Sequence, residues 1–269
     1  MTTVTTADGT PISYRVSVGD DPVLLVHGFG SDGAGTWAAS GWLDALARAG
    51  RGALVVDLRG HGASGKPHDA PAYRLRVLAA DLVAVLEDAG LQQADVIAYS
   101  MGSQVARALA RDAPRRIRRL VLGGIGPVEQ FRAWGVDAVR ETLLDRVARE
   151  RYPVAPEADA QAGGVPPTGV GILRAALEGS GADAVALAAC AEAVASDVLL
   201  VGPMPVPTLL IVGGADSVSE GAEDFARRLH ASFVSLPGRT HLTALGALGF
   251  KRAALDFLRA DDSPGFDQA

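Results

Sequence analysis

The stretch DVIAYSMGSQVARALA, residues 95–110, decides the reading of the chain. A short apolar run ends at Ser100, and a helix-like run of Ala, Val and Leu follows. Ala98 and Gly102 flank the serine at a spacing of two. A buried strand, a tight turn and a helix in succession leave little room at the turn. Small residues on either side relieve the clash. A serine at the apex then takes strained backbone angles and presents its hydroxyl. This is the small-x-Ser-x-small pattern of a nucleophile elbow, with Ala98 where glycine is usual.

The chain on both sides repeats the same rhythm. PVLLVHG (22–28), GALVVDLRG (52–60), ADVIAYS (94–100) and IRRLVLGGI (117–125) are continuous apolar runs, as expected of strands buried on both faces. Between them, WLDALARAG (42–50) and LRVLAADLVAVLEDAG (75–90) have helical spacing and closing glycines. Ser100 to Asp112 reads as helix, stopped by Pro114. Upstream, Thr- and Val-rich runs at 2–7 and 11–18 flank DGT, a hairpin signal. Alternating strands and helices predict a parallel sheet covered on both faces.

The rhythm breaks from about Pro127 to Pro205, where no strand is convincing. QFRAWGVDAVRETLLDRVARER reads as one amphipathic helix, with Phe131, Trp134, Val139, Leu143 and Val147 near one stripe. The GGVPPTG stretch reads as a loop, and two helical stretches follow it. The strand–helix rhythm resumes at PTLLIVGGAD (207–216). GAEDFARRLH is then a helix, ASFVSLPG a strand and LTALGALGFKRAALDFLRA a last helix.

Composition bounds the function. The chain has 269 residues, 48% of them apolar, and a net charge of −6. That is enough for a large core. Without a long basic run, nucleic acid is not an expected partner. One cysteine, Cys190, allows neither an internal disulfide nor a multi-cysteine zinc site. No metal or cofactor is expected. The polar N-terminus lacks the blocks of a signal peptide, and no apolar run reaches membrane-spanning length. The expectation is a soluble, cytoplasmic protein that acts on a small molecule away from membranes, as a monomer or a homodimer.

A serine hydroxyl is a weak nucleophile that needs a base within hydrogen-bond reach and an acid to orient that base. Reacting groups gather at the carboxyl ends of parallel strands. SLPGRTHL puts His241 just after a strand, and VGGADSV puts Asp216 after the preceding one. The order Ser100, Asp216, His241 fits the template. Met101 follows the serine at a helix N-terminus, and Phe29 lies in HGFG after an early strand. Their backbone N–H groups are the candidates for an oxyanion hole. His27 and His61 read as structural, and Cys190 as buried filler without a helpful neighbour.

With HGFG, DLRGHGAS (57–64), AYSMGS, PTLLIVGGAD and PGRTHL in order along its length, the chain resembles the α/β-hydrolase superfamily. It looks most like the small cap-bearing serine hydrolases: esterases, perhydrolases and C–C bond hydrolases. The resemblance implies a mostly parallel eight-stranded sheet flanked by helices, with a helical cap inserted after strand 6. The core would be residues 1–126 and 206–269, and the cap 127–205. It implies hydrolysis of an ester, lactone or thioester through an acyl-enzyme on Ser100. C–C cleavage or cofactor-free perhydrolysis with the same triad is the alternative. A slow-turnover ligand-binding protein is the alternative of another class. C–C chemistry would need cap cations for a carboxylate, for which Arg132, Arg140 and Arg174 are the candidates. Some relatives take the acid after strand 6, which here would be Glu129. Trp37, Phe131, Trp134 and Leu242 are candidate substrate-binding residues. Ser103 and Thr240 stand where relatives often have glycine.

Overall fold

The structure is a computed structural model and describes residues 1–17, 19–151, 167–178, 181–198 and 201–259. Eight strands form one sheet: β1 (Thr2–Thr5), β2 (Pro11–Ser17), β3 (Asp20–Val26), β4 (Arg51–Val56), β5 (Ala94–Tyr99), β6 (Ile117–Gly123), β7 (Thr208–Gly213) and β8 (Ser232–Leu236). Their order across the sheet is β1-β2-β4-β3-β5-β6-β7-β8. The β1–β2 and β2–β4 pairs are antiparallel, and every other pair is parallel. The chain reverses direction across the sheet between β3 and β5, so loops at the carboxyl ends of those strands open a crevice.

The central strands are apolar on both faces because both faces are covered. Leu24 and Val26 of β3 face one core cluster, and Val23 and Leu25 face the other. On the first side pack α2 (Leu75–Asp88), α3 (Met101–Asp112) and α8 (Ala222–Leu229). On the second pack α1 (Trp42–Arg48) and α10 (Leu248–Arg259). Full burial of each such Val or Leu side chain is worth about 1.5–3 kcal/mol. The basic stretch 111–119 meets partners within the chain: Arg116 pairs with Glu87 and Arg118 with Asp95.

Between β6 and β7 the described residues hold helices and no strand: α4 (Gln130–Trp134), α5 (Val136–Arg151), α6 (Pro167–Glu178) and α7 (Ala184–Ser196). Two helices replace the single one expected over 130–151. Gly135 separates them at φ 86° and ψ 116°, a conformation that favours glycine and ends the first helix. Val139 and Leu143 are buried as the stripe predicts, while the Val147 side chain lies outside the described residues. Pro167 to Gly169, expected in a loop, open α6, and the rest of GGVPPTG lies outside the described residues. The expected last helix is likewise two, α9 (His241–Ala244) and α10. Between them the Leu245 carbonyl accepts the Trp42 indole N–H at 3.1 Å.

Candidate active site

Ser100 occupies the turn between β5 and α3 at φ 53° and ψ −126°. A non-glycine residue there costs roughly 1–3 kcal/mol and persists only where its surroundings hold it. Three contacts do so. The Ser100 N–H donates to the Gly123 carbonyl at 2.8 Å. The Ser103 hydroxyl donates to that carbonyl at 2.9 Å and accepts the Gly123 N–H at 3.1 Å. Ser103 thereby ties α3 to the end of β6, which a glycine at that position would not do. A Cβ on Gly102 would stand 2.3 Å from the His27 carbonyl oxygen and 2.5 Å from that of Val26, so only glycine lets α3 approach β3 this closely. The Ser100 hydroxyl makes no helix-capping bond, although the residue precedes α3.

That hydroxyl instead faces His241, with Oγ 3.0 Å from Nε2. His241 is the first residue of α9. Thr240 and Thr243 hold that turn by a reciprocal pair of side chain–backbone bonds, which gives Thr240 a purpose glycine lacks. The Tyr99 hydroxyl donates to the His241 carbonyl. On the far side of the ring, Nδ1 lies 3.0 Å from Asp216 Oδ2. Asp216 caps the turn Ser217–Ser219: Oδ1 accepts the Val218 N–H at 2.9 Å, and Oδ2 accepts the Ser219 hydroxyl at 2.7 Å. Burial pushes this carboxyl up. The bonds from His241, Ser219 and Val218 outweigh burial and hold it below its usual 3.8. An anionic Asp216 puts the imidazole proton on Nδ1 and leaves Nε2 to accept from the serine.

Ser100, His241 and Asp216 are thus brought together from loops at the carboxyl ends of β5, β8 and β7. Glu129 does not share this line. Its oxygens accept the Phe131 and Arg132 N–H groups at 3.1 and 2.7 Å, at the start of α4. Phe29 and Met101 flank the serine. Met101 N–H is the first of α3, where no earlier turn accepts it. The backbone of the β3 turn is close as well: a Cβ on Gly28 would lie 3.1 Å from Ser100 Cβ.

Two of the other histidines, His27 and His61, serve the loops around the site. His27 is buried, with Nδ1 2.7 Å from the Gly28 carbonyl and Nε2 accepting the Leu58 N–H at 2.9 Å. Burial pushes its imidazole down. His61 packs edge-on against His27 and Phe29, and burial lowers it to about 3. Both match a structural reading.

Two cavities meet at the serine. One is a chamber of about 40 Å³ and the other a groove of about 960 Å³; Ser100, His241 and Phe29 border both. Phe131 and Trp134 line the chamber, and Phe131 also packs on Phe29 with ring centroids 4.8 Å apart. Leu242 is exposed and borders the groove. Trp37 corrects the expectation. It is fully buried in the core cluster beneath the sheet, packs against Trp42 and borders neither cavity. Its apolar bulk fits the core better than the loop surface. Cys190 has a neighbour that its sequence context did not announce: Sγ lies 3.7 Å from the Met101 sulfur. Ser219 was also missed, because a serine three residues after an acid carries no motif.

A family model described as alpha/beta hydrolase fold matches residues 21–170, more than half of the chain. The chain belongs to this family. Among curated proteins it is similar to a 2-hydroxymuconate semialdehyde hydrolase from Pseudomonas sp. strain CF600. The two are 37% identical over 121 residues, 44% of this chain and 41% of the relative. The matched parts span about half the length of the first two curated relatives. Among solved structures, a hydrolase from Pseudomonas aeruginosa PA01 superposes with a TM-score of 0.75 at 29% identity, over 96% of this chain and 98% of that one. A thermophilic esterase from Thermogutta terrifontis gives 0.71 at 25% identity, over 96% and 97%. The eight-stranded, mostly parallel sheet with flanking helices is the architecture of the α/β-hydrolase fold. Among the described residues no helix is long and apolar enough to cross a membrane.

Proposed function

We propose that the chain is a serine hydrolase that cleaves a carboxylic ester, lactone or thioester. The observation that carries this is the line from Ser100 Oγ to His241 Nε2 to Asp216 Oδ2, with 3.0 Å at each step. His241 takes the proton as Ser100 attacks the carbonyl carbon. Asp216 holds the ring in the tautomer that can accept it. The N–H groups of Phe29 and Met101 stabilise the oxyanion. His241 then gives its proton to the leaving group, and water, with His241 as base again, releases the acid. Residues 127–205 act as a cap on the core formed by 1–126 and 206–269.

C–C hydrolysis is the less favoured reading. Arg132 donates to the carbonyls of Ala195 and Asp197, and Arg140 pairs with Glu192. Neither borders the chamber or the groove. The Arg174 side chain lies outside the described residues. The available cap cations therefore serve helix ends and surface pairs, not a substrate carboxylate.

The test is a fluorophosphonate probe read by intact mass, beside hydrolysis of p-nitrophenyl esters. Wild type should take one adduct and turn over the ester. Ser100→Ala should take none and lose about 10⁴-fold or more in turnover, with its melting temperature preserved. Folded wild type that takes no adduct and releases no p-nitrophenol would overturn the reading in favour of a binding protein.

A further inference from the structure

The two cavities that meet at Ser100 differ in size by more than twentyfold, about 40 against about 960 Å³. An acyl-enzyme must release its alcohol while the acyl group is still bonded to the serine. The leaving alcohol therefore belongs on the roomy side, and the acyl arm in the chamber that Met101, at the start of α3, helps to line. A water-sized site needs roughly 10–15 Å³ of such space, so the chamber suits a short acyl arm, of about three non-hydrogen atoms beyond the carbonyl, better than a long one.

The chamber is walled by apolar groups such as Phe131, Trp134 and Val194, yet three polar side chains besides Ser100 and His241 also border it. Two are occupied. Gln130 donates its amide to the carbonyls of Val128 and Val218, and the Gln104 oxygen accepts from Arg107. The third is Glu129. Its oxygens accept the Phe131 and Arg132 N–H groups, and the Gln130 N–H also approaches. A carboxylate has about four acceptor sites, so it keeps capacity for a further donor. No cation is in salt-bridge contact with it among the described residues: the Arg132 charge acts on it from a distance, while that guanidinium donates to the Ala195 carbonyl. A hydroxyl or an amide side chain would cap α4 equally well. Burying a carboxyl in an apolar wall is a cost that capping does not require. Burial raises this carboxyl above its usual range, against the pull of the amide bonds.

We propose that Glu129 is a specificity-determining residue that selects, within the chamber, a short acyl arm bearing a hydrogen-bond donor, while the groove takes a bulkier alcohol. This rests on the ester-hydrolase reading above. The donor is a hydroxyl or an ammonium; both satisfy the free lone pairs, and an ammonium also matches the charge.

The experiment compares kcat/KM at pH 7 for benzyl propanoate, benzyl lactate, benzyl alaninate and benzyl octanoate by titrating released acid. Wild type should favour lactate or alaninate over propanoate by about tenfold, and octanoate should be the poorest. In Glu129→Met the donor preference should fall to near one. Glu129→Gln, which keeps the cap of α4, should lose an alaninate preference and retain much of a lactate preference. This variant carries the test if the methionine variant does not fold. Equal rates on propanoate, lactate and alaninate in wild type would overturn the proposal, as would a preference that both variants keep or octanoate as the best substrate. In those cases benzyl propanoate is still hydrolysed and the fluorophosphonate adduct still forms, so the hydrolase reading stands. Loss of both would sink that reading itself.

Discussion

Two parts of the molecule border the same serine, and they are held there by different means. The strand-end loops are fixed by the backbone. Ser100 has a strained φ of 53°, Gly102 leaves no room for a Cβ, and the Gly123 peptide is bonded on both sides by Ser103. The helical segment between β6 and β7 is fixed by side chains reaching across from one helix to another. Arg132 of α4 caps the end of α7, and His68 and Arg74 of the core meet Asp183 and Asp197 at its two ends. The first kind of constraint sets atomic positions for chemistry. The second sets the walls of a chamber and tolerates change in them.

The difference predicts where substitutions act. After Ser100→Ala, the largest effect belongs to Asp216→Asn, which removes the anion that sets the His241 tautomer. We expect kcat/KM to fall by about 10³–10⁴-fold with the fold intact. It also has a signature in pH. The folded carboxyl titrates below its usual 3.8, so its contribution to stability is complete above that value and is lost as pH falls through the lower folded one. Thermal melts of wild type and variant should differ most at neutral pH and converge below about pH 4. A gap that persists in acid would show that Asp216 stabilises the fold by some other route. Next is Gly102→Val, in which side-chain atoms meet two carbonyl oxygens of β3 and its turn. A loss of about 3 kcal/mol in denaturant titration is expected, and a neutral outcome would break the claim that backbone packing fixes the elbow.

Ser219→Ala should be milder. It removes one donor from the oxygen that faces His241 and leaves the substrate surfaces unchanged. About a tenfold drop in kcat with KM unchanged would mark Ser219 as a positioning residue. A change confined to KM would show that it acts on the chamber instead, through its neighbour Val218.

The same division explains what the sequence made legible. Strand positions followed from runs such as VLLV and LVLG, because burial on both faces leaves an unbroken apolar signal. The meeting of Ser100, Asp216 and His241 followed because the roles proposed for them require fixed places at strand ends. What was missed depends on packing across the chain. Gly135 looked like an interior residue of one long helix, and its φ of 86° ends α4. Trp37 was a candidate substrate-binding residue, whereas the space beneath the sheet takes it whole. Cys190 met Met101 across 89 positions of chain. No local pattern encodes such a meeting.

The smallest effect tests the side-chain tethers most cleanly. Asp197 follows α7, yet its carboxylate accepts the Leu75 N–H at 2.6 Å, the first N–H of α2, from 122 positions away. Its other oxygen pairs with Arg74, at 2.6 Å. No side chain caps α2 from its own N-cap position, where Arg74 stands. The inserted segment therefore supplies to a core helix the cap that core helix lacks. Asp197→Ala should cost about 1 kcal/mol by thermal denaturation, as the loss of a helix cap does. Asp197→Asn should recover much of it, since an amide oxygen caps nearly as well as a carboxylate. Turnover of benzyl propanoate should change less than twofold or so in either variant, because Ser100 and its partners are held by their own loops. If turnover instead falls as far as it does in Ser219→Ala, the walls and the chemistry share a common constraint. The tethers at the ends of α7 would then set the position of Met101, through the contact that Cys190 makes with its sulfur.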